Sequence, residues 1–122
     1  MKLITAIVRP EKLDEVIDAV LGNKARGLTV AEVRGFGQQF GECAAGAVGV
    51  DTTADGLRRY RRTVLHTKIR LDILVLDEDV QTMVDAIAKH AHTAMIGDGK
   101  IWVSAVDNVL RVRTGETDRA AV

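Results

Sequence analysis

Apolar and polar residues change their spacing several times along the chain, and each change marks an element. Leu3 to Arg9 is rich in Ile and Val, which predicts a strand, and Pro10 then supplies a fixed φ suited to the first turn of a helix. From Glu11 onward Leu13, Val16, Ile17, Val20 and Leu21 recur at three- and four-residue spacing, with Lys12, Asp14, Glu15 and Asp18 on the other side. That pattern predicts an amphipathic helix closing near Gly22 to Gly27. Leu28 to Arg34 is β-branched and runs into Gly35 and Gly37, so it reads as a second strand. From Gln38 to about Thr63 no period is sustained and Gly41, Gly46, Gly49 and Gly56 interrupt the chain. A connection so much longer than the common two to about six residues is functional or disordered.

Regularity returns at Val64. Ile69, Leu71, Ile73 and Val75 share one face of a third strand, and Lys68, Arg70 and Asp72 share the other. Asp77-Glu78-Asp79 places acids where a helix macrodipole favours them. Val80, Met83, Val84, Ile87 and Ala91 then form the apolar stripe of a second helix, ending near His92 or Thr93. Ile96 to Lys100 reads as a Gly-rich turn, Ile101 to Val106 as a strand, and Val109 to Arg113 as a short extended tail. The order is β-α-β-loop-β-α-β. Two such units in series form an α+β ferredoxin-like βαββαβ arrangement, an antiparallel sheet with both helices on one face. The opposite face needs cover, and a second copy of the chain is the expected cover, giving an oligomer.

Composition narrows the partners. At 122 residues the chain fits a single domain spanning 1–122, with a long mobile loop over about 38–66. Lys plus Arg and Asp plus Glu are each 17, so no global field draws it to nucleic acid or an anionic membrane. Cys43 is the one cysteine, and no basic-then-apolar leader precedes Leu3, which together suggest a cytoplasmic protein. No apolar run approaches the roughly 20 residues of a bilayer span, so membrane contact would come through a membrane-protein partner.

Three short segments suit phosphate binding: Gly35-Phe36-Gly37-Gln38-Gln39, Gly97-Asp98-Gly99-Lys100 and Arg111-Val112-Arg113-Thr114-Gly115. Glycines let main-chain N–H groups approach an anion, and a lysine or arginine supplies charge. None matches the longer phosphate loop ending in Gly-Lys-Ser/Thr, and such segments taken singly are more often an ordinary turn or a wet strand face.

The run Thr93-Ala-Met-Ile-Gly97-Asp98-Gly99-Lys100-Ile101-Trp102-Val103-Ser-Ala-Val106 resembles the C-terminal signature of the PII signalling family. The stretches from Met1 to Pro10, Lys12 to Val16, Gly27 to Gly37 and Arg111 to Glu116 agree with it in order and spacing. The resemblance implies a homotrimer that binds ATP or ADP in each cleft between subunits and is regulatory rather than enzymatic. By position, Ile7, Gly27, Thr29, Gly35, Phe36, Gly37, Gln38, Gln39, Asp72, Leu74, Gly97, Asp98, Gly99 and Lys100 would surround the nucleotide. Arg111 and Arg113 would reach the phosphates across the interface. Asp72 stands where the family usually has Glu. In many relatives 2-oxoglutarate binds beside Mg-ATP, which here would use Gln39 for the metal, Lys68 for a carboxylate and Arg9 nearby.

The loop departs from the family. The Tyr-Arg-Gly-Ala-Glu-Tyr segment is missing, the loop is longer, and Tyr60 lies in the different context Arg58-Arg59-Tyr60-Arg61-Arg62. That implies a divergent PII-like member whose loop engages an acidic or membrane-protein partner, a transporter among them. Such relatives include ones responding to bicarbonate with AMP or ADP, and others associated with metal-efflux transporters. Two alternatives stay open: a metal-responsive trimer using Cys43, His66, His90 and His92, and a small ATPase or nucleotidase. Against the first, His90 and His92 are two apart, whereas helical metal pairs use three or four. Against the second, no nucleophile–base arrangement or carboxylate pair emerges, although slow ATP hydrolysis could accompany sensing.

Overall fold

The computed structural model describes residues 1–23, 25–35 and 65–122. β1 (Lys2–Val8) leads through a single 3-10 turn at Pro10–Lys12 into α1 (Leu13–Gly22). β2 (Thr29–Gly35) and β3 (His66–Val75) follow, then a 3-10 turn at Asp77–Asp79, α2 (Val80–Ala91), β4 (Lys100–Ala105) and the four-residue α3 (Asp118–Ala121). The strands form one antiparallel sheet in the order β2-β3-β1-β4. This is the expected ferredoxin-like βαββαβ arrangement.

Alternation decides which face is core. Ile4, Ala6 and Val8 of β1 pair with Ile73, Leu71 and Ile69 of β3, and all six are buried beneath Val16 and Val20 of α1 and Met83, Ile87 and Ala91 of α2. Each fully buried aliphatic side chain contributes about 1.5–3 kcal/mol relative to leaving it in water. The other face carries Leu3, Thr5 and Ile7, Lys68, Arg70, Asp72 and Leu74, and Trp102, which remains 42% exposed. A sheet face with an exposed tryptophan and half-buried aliphatics is a surface for association.

Local details differ from the sequence expectations. The first helix does not run smoothly from Glu11, because Pro10 opens a 3-10 turn first. α2 stops at Ala91, where His92 turns extended at φ −69° and ψ 128°. The expected extended tail at Val109–Arg113 is instead half of a tight reversal. Leu110 bridges Thr117, Gly115 turns the chain at φ 73°, and α3 follows. The long-loop expectations, with Phe36, Gly37, Gln38, Gln39, Cys43 and Tyr60, lie outside the described residues.

Candidate functional site

The site grows from the turn between α2 and β4. Ala94 takes φ 62°, and the chain reverses through Gly97 at φ 105° and Gly99 at φ 95°, a region that side chains disfavour. Gly99 is required for a second reason: an added Cβ would lie 1.7 Å from the carbonyl oxygen of Ile7 and 2.7 Å from its carbon. The turn therefore rests directly on the main chain of β1.

Side chains fasten it from three directions. The Asp98 carboxylate accepts the Thr93 N–H at 2.7 Å, the Thr93 hydroxyl, and Nε of Arg9 at 3.0 Å. Another guanidinium nitrogen of Arg9 donates to the Ile96 carbonyl at 2.7 Å. Lys68 of β3 donates its Nζ to the Gly97 carbonyl, also at 2.7 Å. The Thr93 hydroxyl above all, with the Thr93 N–H and Arg9, outweighs burial and holds the Asp98 carboxyl far below the usual carboxylate range. Burial, and then the charge of Arg9, lowers the pKa of Lys68. Lys100 follows, exposed and in register with Ile7. Ile7, Asp98, Gly99 and Lys100 also line a cavity of about 210 Å³ that reaches the end of α2 at Ala91 and His92.

A polar row crosses the open face. Thr29 pairs with Asp72, Asp72 with Thr5, and Thr5 with Trp102. The buried Thr5 hydroxyl donates to Asp72 at 2.6 Å, and Arg70 donates to both carboxylate oxygens at 2.9 and 3.1 Å. Burial alone would raise the Asp72 pKa, but the Arg70 and Thr5 hydrogen bonds and the Arg70 charge together lower it. Leu74 lies one period further, opposite Leu3. Gly27 precedes β2 and Gly35 ends it, each with open space where a Cβ would stand. Gly35 pairs with His66, so the chain leaves β2 and returns to β3 at one end of the sheet.

The C-terminal arginines sit apart. The Arg111 guanidinium donates to the Glu116 carboxylate and, at 3.0 Å, to the Ala120 carbonyl, while its main-chain N–H donates to the Glu116 carbonyl at 2.8 Å. Arg113 is exposed. No hydrogen bond joins either arginine to the 96–100 turn among the described residues, and the expected reach across an interface involves a second subunit.

The sequence-predicted residues thus fall into groups. Ile7, Arg9, Lys68, Gly97, Asp98, Gly99 and Lys100 converge on one turn. Thr29 and Asp72 meet in the row across the sheet, Leu74 lies beyond it, and Arg111 and Arg113 belong to the tail. Phe36, Gly37, Gln38 and Gln39, the last with its expected Mg role, fall outside the described residues. Thr93, Thr5 and Arg70 were missed as site residues. Thr5 and Arg70 were discoverable, since strand parity puts both on the face of Asp72. Among the described residues no three His, Cys, Asp or Glu side chains gather as a metal group. The His90 ring meets the Ala86 carbonyl at 2.8 Å, and His92, off the helix, stands 3.7 Å from Asp98.

Comparison with known proteins bears on the whole of this arrangement. A family model described as nitrogen regulatory protein P-II matches residues 1–116. The chain is 48% identical to nitrogen regulatory protein P-II 2 of Methanothermobacter thermautotrophicus, covering all of this chain and 97% of that protein. It is 42% identical to nitrogen regulatory protein P-II of a Synechocystis strain and 40% identical to nitrogen regulatory protein GlnK of Escherichia coli, each match covering both chains completely.

Proposed function

The chain belongs to the nitrogen regulatory protein P-II family, and on that premise we propose that it is a trimeric, non-enzymatic sensor of adenine nucleotides. Proteins of this family are signalling regulators that assemble as trimers and act on partners. ATP or ADP occupies the cleft between neighbouring subunits, and AMP competes there. One wall is the turn Gly97–Lys100 with Ile7, Thr29, Asp72 and Leu74. Arg111 and Arg113 of the adjoining copy approach the phosphates, and Gln39 carries Mg. The exposed apolar face around Trp102 supports the trimer.

The observation that carries this reading is the turn itself. Two glycines at positive φ, anchored by Arg9 after β1, Lys68 of β3 and Thr93 after α2, set main-chain amides and the exposed Lys100 ammonium at one place. Pre-set backbone donors beside a cation are what a polyphosphate requires. Each nucleotide stabilises a different arrangement of residues 38–66, which engage a cytoplasmic protein partner, a membrane transporter among the candidates. Differential affinity of the two states is the necessary condition. A second effector, 2-oxoglutarate or bicarbonate, binds beside Arg9 and Lys68. No helix among the described residues is long and apolar enough to cross a membrane, so a membrane partner supplies its own span.

Calorimetric titration of the purified protein with ATP, ADP and AMP, with and without Mg and 2-oxoglutarate, is the test. Binding at one site per chain, weakened by Lys100→Ala and more for ATP than for AMP by Arg113→Ala, is the expected outcome. Absence of heat with all three nucleotides sinks the reading. Rapid turnover of the bound ATP, abolished by Lys100→Ala, replaces it with a nucleotidase.

A further inference from the structure

We infer that Lys68, assisted by Arg9, is a positioning residue that fixes the direction of the main-chain N–H groups in the 96–99 turn. This role rests on the nucleotide reading for its consequence, but not for its geometry. In the sheet order β2-β3-β1-β4, β1 separates β3 from β4, which the turn enters. Lys68 nonetheless reaches past β1 and donates to the Gly97 carbonyl at 2.7 Å. Arg9, just beyond β1, donates to the preceding carbonyl, Ile96, at 2.7 Å and to the Asp98 carboxylate at 3.0 Å. Two cations are thus held close together, each satisfied by a carbonyl of the same turn.

Planarity of the peptide group turns these contacts into control of the donors. The Ile96 carbonyl belongs to the same rigid plane as the Gly97 N–H, and the Gly97 carbonyl to the same plane as the Asp98 N–H. In a trans peptide the two groups point in opposite directions, so pinning an oxygen aims the N–H away from the pin. Glycine imposes little preference of its own, so the orientation of the peptide on either side of Gly97 depends on the contacts its groups make. Thr93 and Asp98 fix the ends of the turn through the Asp98 side chain. Within the turn the Asp98 N–H donates to the Met95 carbonyl at 3.3 Å, a long bond, and Lys68 and Arg9 hold the Gly97 and Ile96 carbonyls from outside it. Burial and the Arg9 charge both work against the Lys68 ammonium, the charges of Glu11 and Asp98 favour it, and the Gly97 carbonyl accepts its hydrogen bond.

Lys68→Met keeps the length of the side chain and removes the donor, and Lys68→Arg restores a donor. Hydrogen exchange of residues 96–99 is followed in nucleotide-free protein, and ATP and ADP affinities are measured by calorimetry. Loss of one charge-assisted hydrogen bond corresponds to exchange and affinity changes of about tenfold or more. The expected result for Lys68→Met is faster exchange confined to the turn, with ATP and ADP weakened by the same factor and an unchanged melting temperature. Lys68→Arg recovers both. Unchanged exchange in Lys68→Met overturns the inference, as does loss of ATP affinity without loss of ADP affinity, which would mark a direct phosphate contact. A melting temperature that falls together with protection across the whole sheet also overturns it, by assigning Lys68 to the fold at large. If the parent protein binds no nucleotide, the nucleotide reading fails while the exchange comparison still decides whether Lys68 holds the turn.

Discussion

Replacing Gly99 by alanine adds one methyl group at the point where the turn meets β1. Two separate penalties follow. The backbone stands at φ 95°, and an L side chain there costs about 1–2 kcal/mol. The added Cβ also falls 1.7 Å from the Ile7 carbonyl oxygen, against an ordinary contact near about 3.5 Å. Both parties to this overlap are held by the main chain, so no rotamer relieves it. The start of β4 must lift away from β1 at the Ile7–Lys100 pair, a forced backbone shift of about 1–3 kcal/mol. The sum is about 2–5 kcal/mol.

Gly115→Ala is the internal control. Its φ of 73° carries the first penalty, and nothing lies within 4 Å of the new Cβ to impose the second. Urea denaturation at one fixed protein concentration compares the two, since the stability of an assembled protein depends on concentration. Gly99→Ala is expected to lower the midpoint clearly more than Gly115→Ala with little change in slope. Equal midpoints for the two variants would refute the argument that main-chain contact, rather than φ alone, demands glycine at position 99.

Asp98→Asn removes the charge that accepts from Thr93 and Arg9. Because the folded-state pKa lies below the unfolded one, the carboxylate contributes stability that is fully present above about pH 4 and is lost as pH falls toward the lower folded value. The stability gap between parent and variant should therefore stay level from neutrality down to mild acid and shrink below about pH 4; a gap unchanged at about pH 2.5 refutes the assignment. Trp102→Glu places a charge on the open face while leaving the helix-side core untouched, so sedimentation should show a folded monomer. A trimer of undiminished mass would move the interface elsewhere.

Much of the fold was legible because strand alternation and helix spacing are local signals. Ile69, Leu71, Ile73 and Val75 announced the core face of β3, and Met83, Ile87 and Ala91 that of α2. β2 was legible only from its β-branched content. It is one of the sheet's two edge strands, and apart from half-buried Val33 and Gly35 its residues are exposed on either face, so no clean alternation was available to read. The tail was misjudged because its reversal depends on single pairings, Leu110 with Thr117 and Arg111 with Glu116, that carry no periodicity. The Gly97–Lys100 turn was visible as a glycine pattern, yet nothing in Gly-Asp-Gly says that the carboxylate faces inward to Thr93 and Arg9. Lys68 read either as a strand lysine or as a contact for an effector's carboxylate, and only the crossing past β1 reveals its acceptor in the fold, 29 residues away.

The place of Lys68 in the sheet gives the positioning role a second consequence. His66, two residues earlier on the same face of β3, pairs with Gly35, where β2 ends and the chain departs toward residues 36–64. One side-chain period therefore separates the point where that segment returns to the sheet from the ammonium that holds the Gly97 carbonyl. A pull that draws His66 away from Gly35 would reach Lys68 only if it also opened the next two pairs, Arg34–Thr67 and Val33–Lys68. The turn would then lose one of the two carbonyl contacts made from outside it. If that coupling holds, reciprocity requires the converse: a nucleotide that bound only the pinned turn would favour the Gly35–His66 pairing. Sensor and output would then be joined by three residues of one strand, with no need for a longer path through the core.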